Sequence, residues 1–154
     1  MSVLSWGKFT LEHTTSTNGT PGSSWTTIDT PKEDSGKLTP TAGNSVEATE
    51  EGGDLVDART GKTKYQFEWY NFVKKGGTRP FSDDDGIIAG EHALRVTPED
   101  EACEGILIDR CTITLLEEFS AADGKLLHYV AKCLKPATGK TVKPYTKPAG
   151  NSTT

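Results

Sequence analysis

Asp83-Asp84-Asp85-Gly86 is the run whose residue types most invite a chemical reading, that of a calcium loop. With Gly86 at the sixth position of a helix-loop-helix site, the first ligand falls on Phe81 and the last on His92, and neither supplies a carboxylate. That site is excluded, which leaves a solvated turn or a looser cation site on a β loop. Glu117-Glu118 offers two acids for glycoside cleavage, but neighbouring strand residues point to opposite faces and cannot flank one bond. His13, His92 and His128 show no HxH or HxxxH spacing for a metal. Cys103, Cys111 and Cys133 form no CxxC pair and read as reduced thiols facing a core. Gly61-Lys62-Thr63 and Gly139-Lys140-Thr141 resemble the end of a phosphate loop. The first glycine of that motif would fall on Val56 or Leu134, so both are turns followed by strands. No GxSxG elbow occurs. No catalytic, cofactor-binding or metal-binding residue is expected, no cofactor is implied, and an enzyme is the weaker class.

The elements around these residues read as strands. Lys62 to Lys75 is the clearest: Tyr65, Phe67, Trp69, Asn71 and Val73 alternate with Gln66, Glu68, Tyr70 and Phe72. It is expected to be the longest, central strand, with Trp69 at least partly buried. Gly105 to Phe119 and Lys125 to Leu134 form a hairpin around Ala121-Ala122-Asp123-Gly124. Ser45 to Glu51 and Asp54 to Thr60 are β-like pieces around Gly52-Gly53. Ile87-Ile88-Ala89 and His92 to Thr97 add shorter strands, and weaker ones are expected over Gly7 to Glu12 and Trp25 to Asp29. Thr97-Pro98-Glu99-Asp100 carries the signals of a single helical turn. Residues 12–24 read as a flexible polar loop. Residues 135–154, with Pro136, Pro144 and Pro148, read as an extended C-terminal arm and tail. Deleting that tail is expected to weaken assembly more than the fold.

These elements predict an all-β fold: one domain over residues 1–154, a β-sandwich or partly closed barrel of about seven to ten strands with at most one short helix. Composition agrees. The 154 residues include 16 Gly and 8 Pro, and only 33% are hydrophobic, which suits a turn-rich β protein. The net charge of -5 disfavours a dedicated duplex-DNA binder. No apolar run reaches membrane-spanning length. The start has no signal-peptide layout, so synthesis in a bacterial cytoplasm is expected, and the Asn18-Gly19-Thr20 and Asn151-Ser152-Thr153 glycosylation patterns then mean little.

The order of signals resembles that of the small tail tube (major tail) proteins of tailed phages, in the form carried by phages and prophages of Bacteroides-type bacteria. It runs Thr30-Pro31-Lys32-Glu33-Asp34-Ser35, then Glu50 to Asp57, then the aromatic strand ending Lys74-Lys75-Gly76. Asp83 to Gly86 with Gly90-Glu91, Thr97 to Asp100 and the Asp123-Gly124 hairpin follow. The resemblance covers about residues 25 to 145 and is a pattern of turns and strands, not a chemical fingerprint.

It implies β-sandwich subunits that assemble into rings, commonly hexamers, which stack into a tube that conducts DNA without binding it specifically. Its partners are then copies of itself and other tail proteins, its location the virion, and it has no catalytic residues. An acidic lumen would let DNA slide, strand edges and loose arms would join neighbouring subunits, and no membrane is involved. Two alternatives remain: another phage or secretion-machine β-sandwich, such as a decoration or baseplate protein, or a small carbohydrate- or peptide-binding module using Trp6, Trp25 or Trp69.

Overall fold

The period-two apolar pattern of the second half becomes the middle of one antiparallel sheet in the computed structural model, which describes residues 3–148. The strands are β1 (Thr10–Thr17), β2 (Thr20–Pro21), β3 (Thr26–Thr27), β4 (Lys37–Thr41), β5 (Ser45–Thr49) and β6 (Leu55–Thr60). They continue as β7 (Lys64–Phe72), β8 (His92–Thr97), β9 (Gly105–Ser120), β10 (Gly124–Cys133) and β11 (Lys143–Tyr145). Nine of them form one sheet, ordered β2-β1-β8-β9-β10-β7-β4, with β3 beside β1 and β11 beside β9. This sheet curls into an open half-barrel, and β5 with β6 makes a second, small sheet. No helix occurs among the described residues, so the fold is all-β.

The register assembles the core in rows on the inner face. Leu115, Tyr129 and Trp69 face one another across β9, β10 and β7, and Ile113, Ala131, Phe67 and Leu38 make the next row. Ile28, Phe81 and Ile88 fold over this face from the loops. Each fully buried large apolar side chain contributes about 1.5–3 kcal/mol relative to exposure.

Several expectations are corrected. The longest strand is β9, with 16 residues, whereas β7 has 9 and lies next to the edge strand β4. From Ile106 to Asp123 the chain contains no Gly or Pro, so nothing interrupts β9 before its hairpin turn. Residues 12–24 are not a loop. The first six of them lie in β1, which pairs with β8, and Thr20–Pro21 form β2; Leu11 and Thr14 are buried. Thr is β-branched and fits a pleated ladder although it counts as polar. Asn18 (φ 52) and Gly19 (φ 79) then turn the chain into β2, as a two-residue hairpin turn requires.

Thr97 to Asp100 is not helical. The Asp100 carbonyl accepts from the Cys103 N–H at 2.9 Å and its side chain from the Ala102 N–H at 3.1 Å, a turn that leads straight into β9. Ile87 makes isolated bridges to Asp84 and Thr114 and no strand. The C-terminal segment is no loose arm up to Pro148. Lys143–Tyr145 pairs with Gly105–Leu107 on an edge of the sheet, where Pro144 costs no ladder bond. Residues 149–154, including Asn151-Ser152-Thr153, lie outside the described residues.

Candidate assembly surface

The β5–β6 hairpin stands apart from the rest of the chain. Every residue of both strands is exposed, and each strand touches the other and no other strand. It prolongs the β4–β7 pair beyond Thr41 and Lys64 through a narrow neck. There the Gly61 N–H donates to the Asn44 carbonyl at 2.7 Å, and a Cβ on Gly43 would meet the Gly61 carbonyl group at 2.3 Å. Only glycine fits so close an approach of two backbones. At the tip, the Glu50 N–H donates to the Asp54 carbonyl at 3.0 Å. At about 3.3 Å per residue, five paired residues give an arm of roughly 17 Å.

The arm carries Val46, Leu55 and Val56, which are 66%, 55% and 61% exposed. Residues 45–60 also hold five acids, Glu47, Glu50, Glu51, Asp54 and Asp57, against Arg59 alone. Five acids against one base give this projection a net charge of -4, beside a net of -5 for the whole chain. A two-stranded hairpin with nothing packed on it is at best marginally stable in water. By contrast, the short outer strands β2, β3 and β4 are poor pairing surfaces. β2 and β3 have two residues each, and β4 carries Lys37 and Pro40, which blunt an edge.

The residues singled out from the sequence are scattered over the fold. Trp69 is fully buried, and Trp25 is half-buried beneath the Arg95 guanidinium at 4.3 Å. Trp6 is exposed and lines a cleft of about 990 Å³ with Phe9, Leu38, Phe67, Val96 and Ile106. Glu117 and Glu118 do face opposite ways. Glu117 binds Lys125 (2.8 Å) and Arg79 (3.3 Å), and these hydrogen bonds hold its carboxyl below the usual carboxylate range. Glu118 lies on the outer face, 3.6 Å from His128 Nδ1, while Glu68 takes His128 Nε2 at 2.9 Å. The two carboxylates hold opposite ring nitrogens, so they do not converge on one ion. Tyr70 stacks on His128 at 4.2 Å, and desolvation first, then the Glu118 charge, pushes its phenol up.

Asp83 accepts from the Gly86 N–H at 2.9 Å and lies 3.7 Å from Arg79, the work of a turn residue. Among the described residues no group of three or more His, Cys, Asp or Glu side chains is arranged to hold a metal ion. His13 and His92 both lie against Phe81, at 4.5 and 4.9 Å between rings. The arm itself was legible only as two β-like pieces. The signals of a projection, a glycine at each end of its neck and a concentration of acids, were there to be read.

No protein-family model matches the chain, and no curated protein matches it.

Proposed function

We propose that the chain is a self-assembling structural subunit of a phage tail, whose rings, hexameric by the resemblance, stack into the tube through which DNA passes. The observation that carries this reading is the β5–β6 arm: a projecting hairpin with exposed Val46, Leu55 and Val56 and no strand of its own chain packed on it. Burying those side chains on a neighbouring copy would stabilise an element that one subunit leaves marginal. A ring made by one rotated contact is head-to-tail, so the arm of each copy meets a different surface of the next. The blunt outer strands make the arm the better contact. The net charge of -5 suits a conduit that repels phosphate. Other tail proteins are the further partners, the virion is the location, and no catalytic step is involved.

A decoration or baseplate subunit would use the same arm. One observation favours the binding-module reading, the cleft beside Trp6; Trp69 and Trp25 give it no support.

The test is light scattering over a concentration series with negative-stain microscopy, on the full chain and on a variant in which a short turn replaces residues 45–60. Rings, tubes or higher species are expected from the full chain. The variant is expected to stay monomeric with its melting temperature unchanged, because the arm packs on no other strand. A full chain that stays monomeric at high concentration overturns the reading and leaves the binding module in its place.

A further inference from the structure

Cys133 stands directly opposite Cys111 across the β9–β10 ladder, and both residues carry thiols. The next step of the ladder tells which kind of pair this is. The Leu134 N–H donates to the Arg110 carbonyl at 2.9 Å, so residues 134 and 110 form a hydrogen-bonded pair. Pairs alternate along an antiparallel ladder, so Cys133 and Cys111 occupy a non-hydrogen-bonded position. At such positions the Cα atoms lie about 4.5 Å apart with side chains on the same face. Disulfides bridge Cα separations of roughly 4.4–6.8 Å.

Both side chains face inward. Cys111 is fully buried in the core, and Cys133 is half-buried against it. Cys111 gives its S–H to the His92 carbonyl at 3.2 Å, on the side of β8. This is a weak bond, and a turn of χ1 exchanges it for an approach to Cys133. Cys103 lies in the turn before β9 and has no place in this ladder.

We propose that Cys111 and Cys133 are a dithiol pair that closes into a cross-strand disulfide, stapling β9 to β10 when the chain meets a small-molecule disulfide. In the first step the Cys133 thiolate, the more accessible of the two, attacks one sulfur of the oxidant. A mixed disulfide forms and one oxidant thiolate leaves. The Cys111 thiolate then attacks the Cys133 sulfur, forming the protein disulfide and releasing the second thiol. The protein loses two protons and two electrons, and the oxidant is reduced to two thiols. Burial pushes the Cys133 thiol up to about 12 and the Cys111 thiol higher still, with the neighbouring Cys133 adding to its shift. Closure is therefore slow at neutral pH and faster in alkali.

The test uses the folded full chain in mildly alkaline buffer with excess oxidised glutathione, followed by tryptic mapping without reduction and by thermal melting. Cleavage after Arg110, Lys125, Lys132 and Lys140 puts the two cysteines on separate peptides, 111–125 and 133–140. The expected result is one linked pair of these peptides, short of two hydrogens, and a melting temperature raised on the order of 5–10 °C. Dithiothreitol should reverse the rise. Cys103→Ser should keep the link and Cys133→Ser should lose it. Glutathione adducts alone, links through Cys103, an unoxidised chain, or a linked chain that melts no higher than the reduced one would each overturn the proposal.

Discussion

Trp69 has no exposed surface and stacks on Tyr129 at 5.2 Å. Its indole N–H donates to Asn71 Oδ1 at 2.8 Å, and the Asn71 amide donates to the Asp29 carbonyl at 2.9 Å. One side chain thus fills the core and, through Asn71, ties the loop before β4 to β7. Trp69→Ala should cost about 3–5 kcal/mol in denaturant unfolding. A loss below about 1 kcal/mol would mean that the core closes without the indole. His13 acts through its proton. Burial first and the His92 charge second hold its pKa below the ordinary 6.5. As pH falls through that value the unfolded chain takes up the proton before the folded one, so stability is lost from there down to the lowered folded pKa. The melting temperature should fall more steeply between about pH 7 and 5 in the natural chain than in His13→Gln. Equal slopes would remove His13 from the acid response.

At the scale of elements, what was legible is what apolar alternation writes. β7, β9, β10 and the turn around Asp123-Gly124 follow from their sequences because each strand buries one face. The turn is a three-residue loop, with Gly124 opposite Ser120 and at φ 75. β1 was not legible, because Thr14-Thr15-Ser16-Thr17 offers the ladder β-branched shape without apolar character, and a polar count reads it as loop. Its Asn18-Gly19 turn was a sound hairpin signal inside a segment judged too polar to fold. That turn also meets the C-terminal segment, where the Ala137 N–H donates to the Gly19 carbonyl at 3.0 Å. A Cβ on Gly19 would sit 2.5 Å from the Ala137 nitrogen, at a φ of 79 that side chains rarely adopt. Gly19→Ala should therefore cost about 1–3 kcal/mol, from strain and the displaced segment together. An unchanged melting temperature would show that this contact yields freely.

At the scale of the whole molecule, some segments belong to the fold and others project from it. Both depend on relations between distant parts of the chain. The arm hides in the sequence as ordinary strand, because its lack of a covering surface is a fact about its surroundings. The C-terminal segment hides as a loose tail, because Pro144 argues against a central strand and says nothing against an edge. In the fold this segment is tied to the sheet beyond its β11 ladder as well. Pro136 is buried, the Ala137 N–H reaches Gly19, Lys143 pairs with the buried Asp109, and Tyr145 lies 5.3 Å from the Arg95 guanidinium. Arg95 in turn bonds Glu12 at 2.7 Å, so the segment helps to clasp β1 and β8. A chain ending at Leu134 would leave the Asp109 carboxylate buried without its cation and uncover the β9 edge at Gly105–Leu107. Breaking a buried pair by removing one partner typically costs about 3–5 kcal/mol, so the truncated chain should melt at a clearly lower temperature and unfold in less denaturant. The reverse holds for removal of residues 45–60, which should spare the melting temperature and abolish association. If the truncated chain melts within about 2 °C of the full one, the segment is only laid on the sheet, and the clasp through Lys143 and Tyr145 carries no weight in the fold.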